Sequence, residues 1–457
     1  MERLMGLAGI VAFMALAYAL SHNRSAIHWR TIGWGLVLQW VFALMVLKGA
    51  ALAGLLSFLP FPKGAGWAVL ALMFTPMLLR RYATYENRTL NWGLFTVIVL
   101  GLLRGNLVGA TFDKMRIVVE HLMAYAHEGA SFVFGSLSDG PGGKVGMVFA
   151  FAVLPTIIFV ASIFAVLYYI GVMQWVVGAA ARAMGRFLKV SGAESVNVAA
   201  SILMGQTEAP LTIRPYLARM TRSELMVIMT AGMAHVSGSI MVAYVQVAHV
   251  DIVHLLTAVI MTAPGAVMMA KMLEPETETP ETAGEIKVDI PNHDANVLDA
   301  AARGAFEGGQ LAFNVAVMLI AFIALIYLLN GLMKAIHPGF SLEMVLGAAF
   351  KIPAFLMGVP WSEAGQVGGL LGKRMVVNEF VAFLDLGGMT GLSAKARLIS
   401  TFALCGFANF SSIAIQVGGI GALVPERRGD LARLGLRAML AGTLANFLSA
   451  CIAGVLT

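Results

Sequence analysis

Apolar residues run in long blocks broken by short polar stretches, near 4–20, 33–58, 92–109, 147–174, 223–247, 252–272, 311–333, 396–424 and 432–456, with a shorter block at 66–79 that ends in Arg80-Arg81. A helix needs roughly 20 mostly apolar residues to cross a hydrocarbon core, so the pattern predicts an all-α polytopic membrane protein with about eight or more transmembrane helices. One stretch does not fit a simple span. Asn197–Met204 is apolar but too short to cross, and it runs into Gly205-Gln206-Thr207-Glu208-Ala209-Pro210, where Gly and Pro break the helix around a carboxylate. Irregular backbone at membrane depth survives only where it is buried in protein or lines a wet cavity. An ionisable group there marks a functional site by default. The stretch therefore reads as the tip of a re-entrant hairpin near 192–213.

The same arrangement returns later. Gln206-Thr207-Glu208-Ala209 is echoed by Trp361-Ser362-Glu363-Ala364, which follows Met357-Gly358-Val359-Pro360. This predicts a second re-entrant hairpin near 343–376. Each hairpin is followed by a further polar break, Ala234-His235-Val236-Ser237-Gly238-Ser239 in the first half and Phe407-Ala408-Asn409-Phe410-Ser411-Ser412 in the second, the latter within a broken helix near 396–424. Paired interrupted segments in corresponding halves point to a transporter binding site between repeats.

The rest of the chain frames these halves. Between 111 and 126, Phe112, Met115, Val119 and Leu122 recur at helical spacing opposite Asp113, Lys114, Arg116 and Glu120, an amphipathic helix suited to the membrane interface. Residues 128–145 read as loop. The acidic, Pro-containing segment from Pro275 to about Asn296 reads as a solvated linker. The expected organisation is N-terminal membrane helices and the interfacial helix over 1–145, the first half of the core over 146–273, a linker over 274–300, and the second half over 301–457.

Composition sharpens the class. The 457 residues are 59% hydrophobic and 12% charged, where a soluble domain carries about 25% charged residues. The 49 glycines suit closely packed membrane helices. The net charge of +6 is spread over loops, with no basic run to suggest a nucleic-acid partner, and fits contact with anionic lipid. Cys405 and Cys451 both lie in apolar segments and read as free core thiols; the nine histidines lack zinc-ligand spacing. No metal site and no organic cofactor are expected.

The four breaks contribute Gln206, Thr207, Glu208, His235, Ser237, Ser239, Glu363, Asn409, Ser411 and Ser412. Carboxylates, amides and hydroxyls without Lys or Arg disfavour a strongly anionic substrate. They suit a neutral solute rich in hydroxyls, since amides read amide or base edges and carboxylates accept from paired hydroxyls. Two other classes remain open on the residues alone, a passive channel and an intramembrane enzyme using Glu208 and Glu363 as an acid–base pair. No activated nucleophile supports the enzyme.

Gly205-Gln206-Thr207-Glu208-Ala209-Pro210-Leu211, Gly358-Val359-Pro360-Trp361-Ser362-Glu363, Val377-Asn378-Glu379-Phe380-Val381-Ala382 and Gly406–Ile413 resemble, in order, signatures of the concentrative nucleoside transporter family. The resemblance runs from about Met147 to the C-terminus and includes the first two helices. It implies a non-enzymatic, cation-coupled nucleoside importer of the cytoplasmic membrane, a homotrimer whose transport domain moves against a scaffold in elevator fashion. By matching position, Gln206, Thr207 and Glu208 would face the nucleobase, with Ile240 and Leu311 as apolar walls. Glu363, Asn409 and Ser412 would bind ribose hydroxyls beside Phe407. Glu379 of the Asn-Glu signature, which follows the second hairpin instead of sitting at its tip, is assigned a structural role.

Two departures from the family matter. Sodium-coupled members place an Asn where this chain has Ser201 and a small hydroxyl residue where it has His235; their ion also uses carbonyls matching Met204 and Val236. Imidazole nitrogen is a poor ligand for a hard cation, whereas histidine titrates near neutral pH. The expectation is therefore H⁺ coupling, with Na⁺ the alternative and His235, Glu208 and Glu363 as proton candidates. The second departure is extra apolar sequence over 50–110, to which no function is assigned.

Overall fold

The computed structural model describes residues 2–55, 106–139, 148–283 and 294–457. The expected blocks at 66–79 and 92–109 lie outside these residues, apart from the last few positions of the second. The described chain is helical: α1 Glu2–Ala19, α2 Trp29–Leu47, α3 Gly49–Leu55, α4 Leu107–Phe134, α5 Leu154–Tyr169, α6 Val172–Leu188, α7 Gly192–Ser201, α8 Arg222–Ala234, α9 Gly238–Ala248, α10 Ile252–Leu273, α11 Val297–Ile336, α12 Leu342–Leu356, α13 Ala364–Val376, α14 Glu379–Gly388, α15 Ala394–Leu404, α16 Phe410–Leu423 and α17 Arg428–Leu456. Among the described residues, seven helical stretches are long and apolar enough to cross a membrane.

Both interrupted repeats form. In the first, α7 turns at 202–208 into a 3₁₀ segment, Ala209–Arg219, and α8 and α9 flank a break at 235–237. In the second, α12 and α13 make the hairpin, and α15 and α16 flank a break at 405–409. The first hairpin extends past the expected end at 213, because Pro210 and Pro215 keep its return arm 3₁₀.

Of the stretches long enough to cross a membrane, those that contain α8, α10 and α17 are the most buried and form the centre of the core. The longest, α11, is mostly exposed and lies against α5. A Cβ on Gly304 would lie 2.5 Å from the Ala165 Cβ, and one on Gly308 2.7 Å from the Ala161 Cβ. With buried Ala300 and Ala312 these make a small-residue stripe at four-residue spacing, which lets the two backbones approach.

Three expectations are corrected. Residues 128–134 are not loop: α4 continues to Phe134, burying Ala126 and Ala130 on one face while Glu128 stays exposed, and a 3₁₀ turn follows over Gly135–Ser138. Helix α11 begins at Val297, well before the apolar block at 311. Asn296 caps it by accepting from the Leu298 and Asp299 amides, and Arg303 pairs with Glu307 one turn on at 2.9 Å. The charged face made this half of the helix invisible to a hydropathy reading. Nor is the start of the linker solvated. Glu274 and Thr282 are buried, Gly192 donates its amide to the Thr282 carbonyl at 2.8 Å, and Lys271 bridges Glu194 at 2.6 Å and Glu276 at 3.2 Å.

Candidate functional site

The first hairpin owes its shape to caps. Ser191 and Glu194 form a reciprocal capping box at the start of α7, and Thr221 and Glu224 form another at the start of α8. These fix both ends of the arm, while Gly205 and Pro210 open its tip. There Glu208 curls back to accept from the Gly205 amide at 3.2 Å and leaves the rest of its exposed side chain free. Arg303 and Glu307 of α11 lie near enough to act on Glu208 electrostatically, and Leu311, half-buried, stands one turn further along that helix.

Gln206 joins the two repeats. Its Nε2 donates to the Ser412 hydroxyl at 3.2 Å, and its Oε1 accepts from Gln416 at 3.2 Å. The Thr207 methyl packs against Gly419. Ser412 and Gln416 are one turn apart on α16, whose N-cap is Asn409; the Asn409 Oδ1 accepts from the Ser412 amide at 2.9 Å and the Ser411 hydroxyl at 2.7 Å. That cap turns the Asn409 Nδ2 outward, where it donates to Glu379 at 3.1 Å. Glu379 also accepts from the Tyr244 hydroxyl at 3.0 Å. An unbroken polar line thus runs Gln416–Gln206–Ser412–Asn409–Glu379–Tyr244.

Behind this line is a buried cation. Arg374 donates to the carbonyls of Ala403 at 2.8 Å and Gly406 at 3.1 Å and to the Asn446 side chain, and interacts electrostatically with Glu379. Asn446 in turn donates to the carbonyls of Ala234 at 2.9 Å and Cys405 at 3.0 Å. These are orphan C-terminal acceptors of α8 and of α15, left open where the two helices break. The breaks touch directly, with Phe407 donating its amide to the His235 carbonyl at 3.2 Å. Ile240 lies buried on α9, just after the first break.

The turn that follows α7 is joined to the first break by one main-chain hydrogen bond. The Gly238 amide donates to the Leu203 carbonyl at 3.1 Å, tying the turn after Ser201 to the start of α9. Ser201 donates its hydroxyl to the Asn197 carbonyl at 2.9 Å. The buried His235 ring bonds through Nδ1 to the Ala231 carbonyl at 2.7 Å, so Nδ1 bears the proton.

Glu363 stands apart from the polar line. Its Oε2 accepts from both the amide and the hydroxyl of Ser393, each at 2.9 Å, at the N-terminus of α15. Sequence reasoning passed over Gln416, whose spacing of four from Ser412 was the available signal, and gave Glu379, whose partner Asn409 was not visible in the signature, a structural role.

The family model for the C-terminus of Na⁺-dependent nucleoside transporters matches residues 254–454, the N-terminal model matches 8–60, and a nucleoside-recognition model matches 150–250 between them. The structure of CNTnw in an inward-facing, substrate-bound state superposes with a TM-score of 0.80 at 37% identity, covering 99% of both chains. The chain belongs to the concentrative nucleoside transporter family. Sodium/nucleoside cotransporter 1 of Rattus norvegicus is 35% identical over all of this chain and 64% of its own length. An uncharacterized transporter of Bacillus subtilis, YutK, is 44% identical over 85% of this chain and 97% of its own. The all-α, elevator-type fold with two re-entrant hairpins is thus a family property of this multi-pass membrane protein, which is a transporter and not an enzyme.

Proposed function

We propose that this chain imports nucleosides of the uridine type across the cytoplasmic membrane, as a homotrimer driven by a proton gradient. The observation that supports the substrate is the polar line joining both repeats. Amides and a hydroxyl at one end suit a planar base edge, and an amide–carboxylate pair at the other suits a diol. Gln206, Thr207 and Glu208 face the base between Ile240 and Leu311, while Asn409 and Ser412 take the ribose hydroxyls beside Phe407. Glu379 serves as the second carboxylate in place of Glu363, because Glu379 is bonded to Asn409 whereas Glu363 is held by Ser393. The one cation behind the line, Arg374, gives its donors to carbonyls and Asn446, which keeps the site suited to a neutral solute.

For the ion, proton coupling is supported by the residue types at Ser201 and His235. A hard cation there would find the Met204 and Val236 carbonyls and one hydroxyl, with a buried imidazole in place of a further oxygen. Sodium remains the second reading, favoured by the description of the matching family models. Uridine uptake into proteoliposomes under an inward H⁺ or an inward Na⁺ gradient, imposed separately, decides between them. Accumulation with H⁺ alone is expected; accumulation with Na⁺ alone would reject proton coupling, and accumulation with neither would reject the substrate.

A further inference from the structure

Gln416 belongs to none of the motifs, yet it holds the residue that faces the base. It is fully buried on α16, and its single Nε2 donates twice, to the main-chain carbonyl of Met229 at 3.1 Å and to Gln206 Oε1 at 3.2 Å. A main-chain carbonyl only accepts, so the Met229 contact determines which end of the Gln416 amide points into the cluster. Among the described residues no donor reaches Gln416 Oε1 to turn the amide the other way. With Nε2 so placed, Gln206 must offer Oε1 to it and turn its own Nε2 to Ser412, where the 3.2 Å hydrogen bond is found. Ser412, accepting there, keeps its hydroxyl hydrogen for another partner. Gly232 makes the arrangement possible: a Cβ at that position would lie 2.6 Å from Gln416 Nε2 and 3.1 Å from the Gln206 Cβ.

We propose that Gln416 is a specificity-determining positioning residue. It relays the fixed acceptor polarity of the Met229 carbonyl to Gln206, and so sets which of the Gln206 groups donates and which accepts at the nucleobase edge. The inference rests on the reading of Gln206 as a base contact. Gln206 Oε1 has a lone pair and Nε2 a hydrogen left over for substrate, and their order is readable by uridine and cytidine. These nucleosides share ribose and ring size but carry opposite donor–acceptor patterns at N3 and the 4-substituent.

Gln416→Glu is the inverting probe. A carboxyl there gives its one proton to the Met229 carbonyl and offers only an acceptor to Gln206, whose amide then reverses. Gln416→Met removes the relay at similar volume. Competition of uridine and cytidine for the purified transporter gives the ratio of their affinities, a quantity that loss of folded protein does not move. One exchanged hydrogen bond should shift that ratio about fivefold or more in Gln416→Glu, with a smaller shift of the same sign in Gln416→Met. A ratio equal to that of the parent protein in both variants, with both affinities falling together, overturns the proposal in favour of simple packing. Where the glutamate variant does not accumulate, Gly232→Ala displaces the same two amides, and an unshifted ratio there overturns it equally. A parent protein that binds neither nucleoside overturns the substrate reading itself, and this inference with it.

Discussion

Asn409 donates to Glu379 at 3.1 Å across a sequence separation of 30 residues, while Glu363, the glutamate of the second hairpin tip, is bonded to Ser393 instead. Two similar carboxylates therefore have separable roles. Hydrogen bonds to a charged group contribute about 1.5–3 kcal/mol, so Glu379→Gln should weaken uridine binding about 10- to 100-fold. The loss should shrink for 3′-deoxyuridine, which lacks one partner hydroxyl. Glu363→Gln, which keeps a carbonyl acceptor for Ser393, should change affinity less than about threefold by the same arithmetic. Titrations of both variants with both ligands check this; a larger loss from Glu363→Gln would return the ribose role to the hairpin tip.

His235 and Ser201 stand three and two residues before Gly238 and Leu203, whose main-chain hydrogen bond joins the two segments. If the imidazole takes part in proton coupling, His235→Ser should flatten the dependence of uptake on external pH while leaving uridine exchange at equal pH on both sides intact. Adding Ser201→Asn restores the oxygen ligands found at both positions in sodium-coupled members, and the double variant should gain uptake driven by an inward Na⁺ gradient. Parallel pH and Na⁺ series in proteoliposomes measure both effects. An unchanged pH profile in His235→Ser removes the imidazole from the mechanism.

How much of this was legible beforehand follows from the physics of each signal. The hairpins and broken helices were readable at Gly205, Pro210, Pro360 and Asn409 because Gly, Pro and polar residues interrupt apolar runs, and that signal is local. The length of α11 was not, since Asp299, Arg303 and Glu307 lie on one exposed face and lower the hydropathy of a real helix. The docking of the linker was hidden for the opposite reason. Glu274, Glu276 and Thr282 look solvated until packing brings Arg222 and Arg437 to Glu274, Lys271 to Glu276 and Glu224 to the Thr282 hydroxyl. The different partners of Glu363 and Glu379 are also a matter of tertiary contact: both glutamates are four residues or fewer from a helix break, and only packing brings one to Ser393 and the other to Asn409.

Lys271 is the keystone of that docked linker. It is largely buried, pairs with Glu194 at 2.6 Å and Glu276 at 3.2 Å, and donates to the Ser223 hydroxyl at 3.0 Å. Lys271→Met leaves Glu194 buried without its cation, and removing one member of a buried pair costs about 3–5 kcal/mol. The variant should melt at lower temperature in detergent, and residues 274–283 should be cut sooner by a Glu-specific protease. The two readouts together matter: earlier cleavage without a change in melting would mean that the strap is held but does not support the hairpin base.

Arg374 and Asn446 close both helix breaks through one contact. Asn446 satisfies carbonyls from α8 and α15, and Arg374 satisfies two more from the second break while standing behind Glu379. Asn446→Leu should strand the Ala234 and Cys405 carbonyls at a cost of about 1–3 kcal/mol. Arg374→Met should cost more, about 3–5 kcal/mol, because it also leaves the Glu379 carboxylate without the buried charge behind it. Thermal melting with and without uridine separates these effects. Asn446→Leu should lower the melting temperature but keep most of the increment that uridine adds, since the Arg374 side chain it releases still donates to the Ala403 and Gly406 carbonyls. Arg374→Met should lose part of that increment as well, because the Glu379 carboxylate proposed to bind the ribose loses the charge behind it. Equal uridine increments in the two variants would confine Arg374 to structural support and separate it from the binding line.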